Sequence, residues 1–207
     1  MRYANKFAGT TAVSFAGITA LAVAAFAQGQ NAGGDGPPML ADKIAVPSGS
    51  SPRLFVSSGG FNAGDPLNDK YTQNGDNMSP SLSWSKGPLG TRSYVVLAED
   101  SGVNRHDPIV HWVLYNIPSN ITSLGQNIPA QAHLDIGAEQ GKNVRGSAGY
   151  VGPKPPAGQT HPYHFEVFAL NTKLNLDPAN ADRQAVVNAM KGSVLASGEI
   201  VAEYAGK

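Results

Sequence analysis

The chain has 207 residues and carries 15 lysines and arginines against 15 aspartates and glutamates, a balance that gives no electrostatic reason to expect nucleic acid or an anionic membrane surface as a partner. Charged residues make up only 14% of the chain, while 24 glycines and 15 prolines favour a loop-rich β protein over a helical bundle. The chain has no cysteine, which excludes disulfides, thiolate catalysis and cysteine-ligated zinc.

Residues 1–27 have the pattern of a secretory signal peptide. Two basic residues, Arg2 and Lys6, precede an apolar run that closes on Ala25-Phe26-Ala27, with small residues three and one before the break. The alternative is a permanent membrane anchor, but threonine, serine and glycine residues make the run only weakly apolar for that role. We expect cleavage after Ala27 and a periplasmic or secreted mature protein.

The remaining chain divides into a predicted flexible leader, residues 28–51, rich in glycine, proline and serine, and one domain, residues 52–207. Short β-branched and aromatic runs bounded by turn formers predict strands in the domain, with Trp84 in its core. An N-cap at Asp177 followed by proline predicts a helix that ends at Gly192. The predicted strands cover residues 53–58, a part of 75–84 in which Leu82 and Trp84 alternate with serines, and then 93–100, 109–118, 163–170 and 198–204.

A glycine- and proline-rich loop, residues 149–164, precedes the fifth of these strands. Prolines fix φ and glycines admit positive φ, so the loop can hold one shape without regular hydrogen bonding. Such rigidity is useful where a ligand must be positioned. We expect Gly152, Pro153, Pro155, Pro156 and Gly158, together with Trp112, to shape a pocket.

Four side chains are candidates for that pocket. The side-chain period of two along a strand puts His161 and Tyr163 on one face, and Asp100 ends the predicted central strand. The same period puts His111 on the face of Val113 and Tyr115. Two imidazoles and a phenol can donate hydrogen bonds to a small anion while the carboxylate orients an imidazole.

Other chemistries have less support in the sequence. A zinc site is disfavoured because His161 and His164 lie on opposite faces of their strand, and His106 and His133 lie in loops. The Gly-x-Ser-x-Gly elbow of a hydrolase is absent and no serine is singled out. Phosphate-binding loops and dinucleotide fingerprints are absent as well. We therefore expect neither a metal nor a cofactor.

Three motifs, in order along the domain, resemble those of the phosphatidylethanolamine-binding proteins, particularly the bacterial branch called Raf kinase inhibitor-like proteins. Residues 75–84 match GxNxSPxLxW, residues 111–118 match HWVxxNIP, and residues 149–163 match GYxGPxPPxGxxHxY. The resemblance covers about residues 51–204. One departure occurs where the family usually has Asp-Pro-Asp-Ala-Pro. There, this chain has Asp100-Ser101-Gly102-Val103-Asn104, which predicts a looser loop.

The resemblance implies a mainly β fold: an antiparallel Greek-key β-sandwich with a C-terminal helix, small peripheral helices and a small anion pocket at one end. The family's pocket residues correspond here to Asp100, His111, His161 and Tyr163.

The leading functional hypothesis is an exported, non-enzymatic protein that binds phosphate, phosphoethanolamine or a carboxylate. A module that inhibits or modulates a partner enzyme is the alternative, and an Asp/His-assisted hydrolase is a third reading without a defined nucleophile. The sequence leaves homodimer formation open.

Overall fold

The computed structural model describes residues 40–45 and 52–207, so the predicted signal peptide and most of the predicted leader lie outside the described residues. Within the described ranges, no helix combines the length and apolar character needed to cross a membrane. Short 3-10 helices cover Asp69–Tyr71 and Pro178–Asn180. The α-helices are α1 (Ala41–Ala45) and α2 (Arg183–Met190), and the strands are β1 (Val56–Ser57), β2 (Leu82–Trp84), β3 (Ser93–Asp100), β4 (Ile109–Pro118), β5 (Ser123–Leu124), β6 (Glu139–Gln140), β7 (Thr160–Leu170) and β8 (Val194–Ala205).

The strands form two antiparallel sheets. The larger sheet has the order β6-β4-β3-β7-β8 and the smaller has the order β1-β2-β5. In the larger sheet, β3, β4 and β6 are neighbours in chain order, with β5 of the smaller sheet between β4 and β6, and β7 returns to lie beside β3, which is Greek-key connectivity. The predicted antiparallel sandwich and the central position of β3 are therefore confirmed.

Two hydrophobic clusters cover the two faces of the larger sheet. The first lies between the sheets and joins Trp84 of β2 to Tyr94 of β3 and Phe165 of β7. The second joins Leu97 of β3 to Met190 of α2 on the opposite face, where α1 also packs. Trp84 is 5% exposed, so its predicted core position is confirmed.

Predicted and observed bounds agree for the two central strands. Strand β3 begins and ends where its apolar run does, and β4 ends at Pro118, which cannot donate to a sheet. The predicted strand at residues 53–58 was too long, because the chain changes sheets there. Arg53 forms a parallel bridge with Ser197 of β8, and only Val56–Ser57 pair with β2.

The predicted helix from Asp177 to Gly192 is interrupted. Asp177 caps the short 3-10 helix, and α2 begins only after a second cap, in which Asp182 accepts a hydrogen bond from the Ala185 N–H at 2.8 Å. The break at Ala181 lets its carbonyl accept from the Lys142 N–H at 2.8 Å. A continuous helix would have used that carbonyl internally. Gly192 has φ 76° and ends the helix as predicted.

Part of the predicted flexible leader is helical in the structure. The backbone N–H of Ala41 donates to Glu99 at 3.0 Å, and that of Asp42 donates to Glu166 at 3.1 Å. Both carboxylates are buried on the sheet, and Ala41 and Ala45 pack into the second hydrophobic cluster. The leader composition did not predict these contacts because the two acidic partners are far away in sequence.

Candidate functional site

A cavity of about 490 Å³ opens at the end of the larger sheet where β3 ends and β4 and β7 begin. We call it the strand-end cavity. Asp100, His111, His161 and Tyr163 all line it, although they come from three strands. Each of the four is buried, with 5% exposure or less.

Sheet register brings three of these side chains together. Asp100 is the direct cross-strand partner of Tyr163, so the two point to the same face. His161 lies two residues before Tyr163 on β7 and shares that face. Phe165 and Val167 continue the face into the core between the sheets, as the alternation predicted.

His111 reaches the same cavity by a β-bulge, and its predicted face was wrong. Ala98 of β3 pairs with Trp112 and Glu99 pairs with Val110, so His111 is the extra residue of β4. A bulge interrupts the alternation of side chains and re-aims the extra residue. His111 therefore contacts Tyr163, with ring centroids 5.2 Å apart, whereas Val113 belongs to the cluster on the other face.

Asp100 and His161 form a buried hydrogen-bonded pair within the cavity wall. The Nδ1–H of His161 donates to Oδ2 of Asp100 at 2.9 Å, and the Gly102 N–H donates to Oδ1 at 2.8 Å. The Nε2 of His161 lies 3.1 Å from Oε1 of Gln159. Both Asp100 oxygens therefore have donors, and the imidazole is held in one orientation.

His111 presents an unpartnered nitrogen. Its Nδ1–H donates to the Val151 carbonyl at 2.5 Å, which fixes the tautomer. Burial lowers the pKa of His111, against the smaller opposing effects of that carbonyl and of Asp100. The imidazole is therefore neutral at neutral pH, and its Nε2 is a buried acceptor without a hydrogen-bond partner among the described residues.

The Tyr163 hydroxyl is the second unpartnered group. Burial raises the pKa of Tyr163, and the neighbouring Asp100 carboxylate raises it further, so the hydroxyl keeps its proton. No described residue gives this oxygen a hydrogen bond of acceptable geometry. Buried polar atoms without partners are uncommon in folded proteins, and two of them border this one cavity.

The predicted pocket-shaping loop contributes both wall and support. Pro155 and Pro156 line the cavity directly. The Gly152 N–H donates to Asn77 at 2.7 Å, and a Cβ on Gly152 would lie 2.4 Å from the Tyr71 carbonyl oxygen. Only glycine fits at that close approach.

The other three predicted pocket-shaping residues lie farther from the cavity. The Pro153 carbonyl accepts from the Gln73 N–H at 3.0 Å, which holds the loop to the domain. Gly158 has φ 79° and turns the chain before β7. Trp112 lies in the hydrophobic core, and its Nε1–H donates to Gln140 at 2.6 Å, so it supports β4 from behind.

Sequence reasoning missed several cavity residues. Gln159 lies two positions before His161, and the strand period extended by one step would have indicated it. Lys154 and Val144 lie in loops and gave no pattern. Gly102 lies in the loop at residues 100–104, where the sequence departs from the family motif. A Cβ at this position would lie 2.4 Å from the His161 ring. The loop predicted to be looser therefore packs directly against this histidine.

Two further observations define the site. A larger groove of about 780 Å³ runs along β1 and β8, but Arg53 and Glu199 are its only ionisable lining residues in the described chain. We place the candidate site in the strand-end cavity because the buried, unpartnered His111 and Tyr163 atoms are there.

Across residues 40–45 and 52–207, no three histidines or acidic residues are grouped suitably to hold a metal ion.

Comparisons with known proteins agree with this architecture. Residues 57–205 match the family model described as phosphatidylethanolamine-binding protein. A UPF0098 protein of Methanothermobacter thermautotrophicus is 38% identical over 144 residues, which cover 70% of this chain and 93% of that protein. The UPF0098 protein YbcL of Escherichia coli is 35% identical over 133 residues, covering 63% and 73% of the two chains.

Solved structures show the same fold. The crystal structure of Escherichia coli YbcL, described as a member of the mammalian PEBP family, matches with a TM-score of 0.69 and 32% identity over 75% of this chain and 99% of that one. A Chlamydia trachomatis structure, described as a putative phosphatidylethanolamine-binding protein homologue, matches with a TM-score of 0.67 and 30% identity over 76% and 100%. The chain therefore belongs to the phosphatidylethanolamine-binding protein family.

Proposed function

We propose that the strand-end cavity binds a small anion that carries an organic substituent, such as a phosphate ester of the phospholipid head-group type. One observation carries the proposal: Nε2 of His111 and the hydroxyl of Tyr163 are buried, unpartnered and adjacent to the Asp100–His161 pair. An anion that accepts from Tyr163 and reaches His111 removes the cost of leaving both polar atoms unpaired.

The charges that line the cavity determine whether it can bind an anion. Asp100 alone would repel an anion, but the imidazole of His161 donates to it, and Lys154 lines the cavity as a cation. His111 is neutral in the free protein, and its Nδ1–H is committed to Val151. A bound anion favours the protonated imidazole, whose Nε2–H can donate to it. Binding should therefore take up a proton.

Size and wall composition favour an ester over inorganic phosphate. A volume of about 490 Å³ is within the range of small-molecule sites and exceeds what one phosphate group fills. Val103, Ile109 and Val144 join the two prolines as apolar wall, where an organic substituent can pack. The family description supports phosphoethanolamine as the first candidate.

Binding without turnover is the proposed activity of this cavity. Its described lining residues include no serine, threonine or cysteine, and the Tyr163 hydroxyl keeps its proton because its pKa is raised, so the described lining offers no activated hydroxyl or thiol as a nucleophile. The histidines and the tyrosine can hold an anion by hydrogen bonds, which requires no covalent step.

The test is calorimetric titration with phosphate, phosphoethanolamine and acetate. His161→Ala leaves the Asp100 carboxylate unpaired beside the anion, and we expect affinity to fall roughly ten- to a hundredfold. His133→Ala is the matched control, because this histidine side chain is 74% exposed and distant from the cavity. Titration in two buffers of different ionisation enthalpy measures the proton uptake. Equal affinity of the wild type and His161→Ala for each anion would contradict the proposal.

We also propose that the mature protein is exported and begins at Gln28. Support comes from the charged start, apolar run and small-residue break of residues 1–27. Fractionation of a Gram-negative host expressing the full chain, followed by N-terminal sequencing, should find Gln28 as the first residue outside the cytoplasm. A cytoplasmic protein that retains residues 1–27 would contradict export.

A further inference from the structure

A serine, a histidine and a glutamate form a hydrogen-bonded chain on the opposite side of the β3 and β7 ends from the strand-end cavity. Oγ of Ser101 lies 2.9 Å from Nε2 of His164, and Nδ1 of His164 lies 2.8 Å from Oε2 of Glu199. We call these three residues the serine array. The His164 side chain is 15% exposed and that of Glu199 is 35% exposed, so the array is shielded but within reach of solvent.

The fold separates the serine array from the strand-end cavity. His161 and Tyr163 point to one face of β7, and His164 points to the other by the strand period. Glu199 is on β8 directly opposite Glu166, which shares the face of His164. Ser101 follows Asp100 at the end of β3, so neighbouring residues supply the two sites.

The hydrogen bonds assign a role to each group. A carboxylate only accepts, so Nδ1–H of His164 donates to Glu199, and Nε2 is left to accept from the Ser101 hydroxyl. The bond from His164 lowers the pKa of Glu199, so this carboxylate stays ionised near neutral pH. A nucleophile held by a base that is itself oriented by a third group is the arrangement that activates serine in hydrolases.

We propose that Ser101 is a base-assisted nucleophile that small activated carboxylic esters acylate. In this step a bond forms between Oγ and the acyl carbon, and the ester C–O bond breaks. The serine proton passes to Nε2 of His164 and then to the leaving oxygen, which departs as an alcohol or phenol. The products are acyl-Ser101 and one molecule of that alcohol or phenol, without any oxidant or cofactor.

The backbone around Ser101 argues for a single acylation rather than rapid turnover. The Ser101 N–H donates to the Pro162 carbonyl at 3.3 Å, and the Gly102 N–H donates to Asp100 at 2.8 Å. Neither is free to stabilise an oxyanion, and loss of one oxyanion donor costs a hydrolase roughly 10²–10³ in rate. The missing donors slow both steps, but acylation expels a phenolate whereas deacylation must expel the poorer serine leaving group. Deacylation by water therefore lags behind acylation, and the acyl group accumulates on Ser101.

Nearby charges do not replace the missing oxyanion donors. Lys43 of α1 and Arg53 act on Glu199 from a distance, while Glu99, the cross-strand partner of His164, is paired with Arg183. None of these interactions supplies a hydrogen-bond donor to the oxyanion that would form at the ester carbonyl.

In the test, the full protein is incubated with p-nitrophenyl acetate. Phenolate release gives the acylation rate, and peptide mapping by mass spectrometry locates the acetyl group. We expect about one acetyl group per protein, located on Ser101, and none at that position in Ser101→Ala. His164→Ala should slow acetylation of Ser101 by roughly 10²–10⁴, the usual contribution of a general base. Glu199→Ala should slow it roughly ten- to a hundredfold, since the base loses one charge-assisted hydrogen bond.

Controls separate the array from general reactivity. Glu199 is partly exposed, so its alanine variant should fold even if His164→Ala does not. His133→Ala, which removes an exposed histidine outside the array, should acetylate Ser101 at the wild-type rate. An acetyl group found only on lysines, or equal Ser101 acetylation in the wild type and Glu199→Ala, would overturn the proposal.

Discussion

Two successive residues of β3, Glu99 and Asp100, are both buried carboxylates, but they face opposite sides of the sheet and have different surroundings. Glu99 accepts from Nε of Arg183 at 2.6 Å and from the Ala41 N–H at 3.0 Å, so helices close over it. Asp100 is paired with His161 in the wall of an open cavity. Burial and a hydrogen-bonded partner side chain are common to both sides. The difference is that only the pair beside the cavity is within reach of a ligand.

The largest expected effect is on the closed side. Arg183→Met removes the cation and leaves Glu99 uncompensated at 0% exposure, which should cost about 3–5 kcal/mol of unfolding free energy. Urea denaturation measures the loss. The double variant Glu99→Leu/Arg183→Met should recover most of it, because the unpaired charge is gone. A loss below about 1 kcal/mol in the single variant would place the pair among those that contribute little.

The next effect is on ligand affinity at the open side. Tyr163→Phe removes the unpartnered hydroxyl, so anion affinity should fall by about 1.5–3 kcal/mol, while the stability of the free protein stays equal or rises. Calorimetric titration and urea denaturation of the same preparation separate the two quantities. Tyr115→Phe is the matched control, since that hydroxyl donates to the Leu176 carbonyl and lies on the other face. Loss of stability without loss of affinity in Tyr163→Phe would show that the hydroxyl has a partner within the protein and does not bind the anion.

A smaller effect is expected at the loop that covers His161. Gly102→Ala places a Cβ 2.4 Å from the His161 ring, and the resulting overpacking should cost about 1–3 kcal/mol of stability. Weaker anion binding should accompany it, because the ring can no longer keep its bond to Asp100. Gly125→Ala provides the control, as a Cβ there meets nothing within 4 Å. Equal stability of the two alanine variants would mean that the loop moves away without cost.

The smallest effect concerns pH on the closed side. Burial and the neighbouring Glu99 raise the pKa of Glu166 well above its ordinary value. A carboxyl whose pKa is raised by folding supplies stability below its unfolded pKa, and that stability is lost as pH rises through the folded pKa. Glu166→Gln cannot ionise and can still accept from the Asp42 N–H, so it should be more stable than the wild type only above about pH 4.5, the ordinary glutamate value.

Urea denaturation between pH 4 and pH 8 checks this prediction. Glu199→Gln should show the opposite sign, because the pKa of Glu199 is lowered by its bond from His164. Its loss of stability should appear at neutral pH and vanish at acid pH. Parallel pH profiles for the two glutamine variants would contradict both assignments.

Local sequence patterns predicted the features that depend only on residues close together in the chain. The bounds of β3 and β4 followed from apolar runs that end in charge or proline, and the shared face of His161, Tyr163 and Phe165 followed from strand alternation. Prediction failed where a distant partner decides the backbone. The bulge at His111 and the helix break at Ala181 depend on the register with β3 and on the Lys142 N–H.

The sequence by itself determined the family, the sandwich fold and the four candidate pocket residues, because three motifs and the strand period are local signals. The tertiary structure alone decided that two pocket atoms lack partners, and that Ser101, His164 and Glu199 meet. The physical reason is distance along the chain. Hydrogen-bond partners 35 and 63 residues apart are selected by sheet register and burial, which no short window of sequence contains.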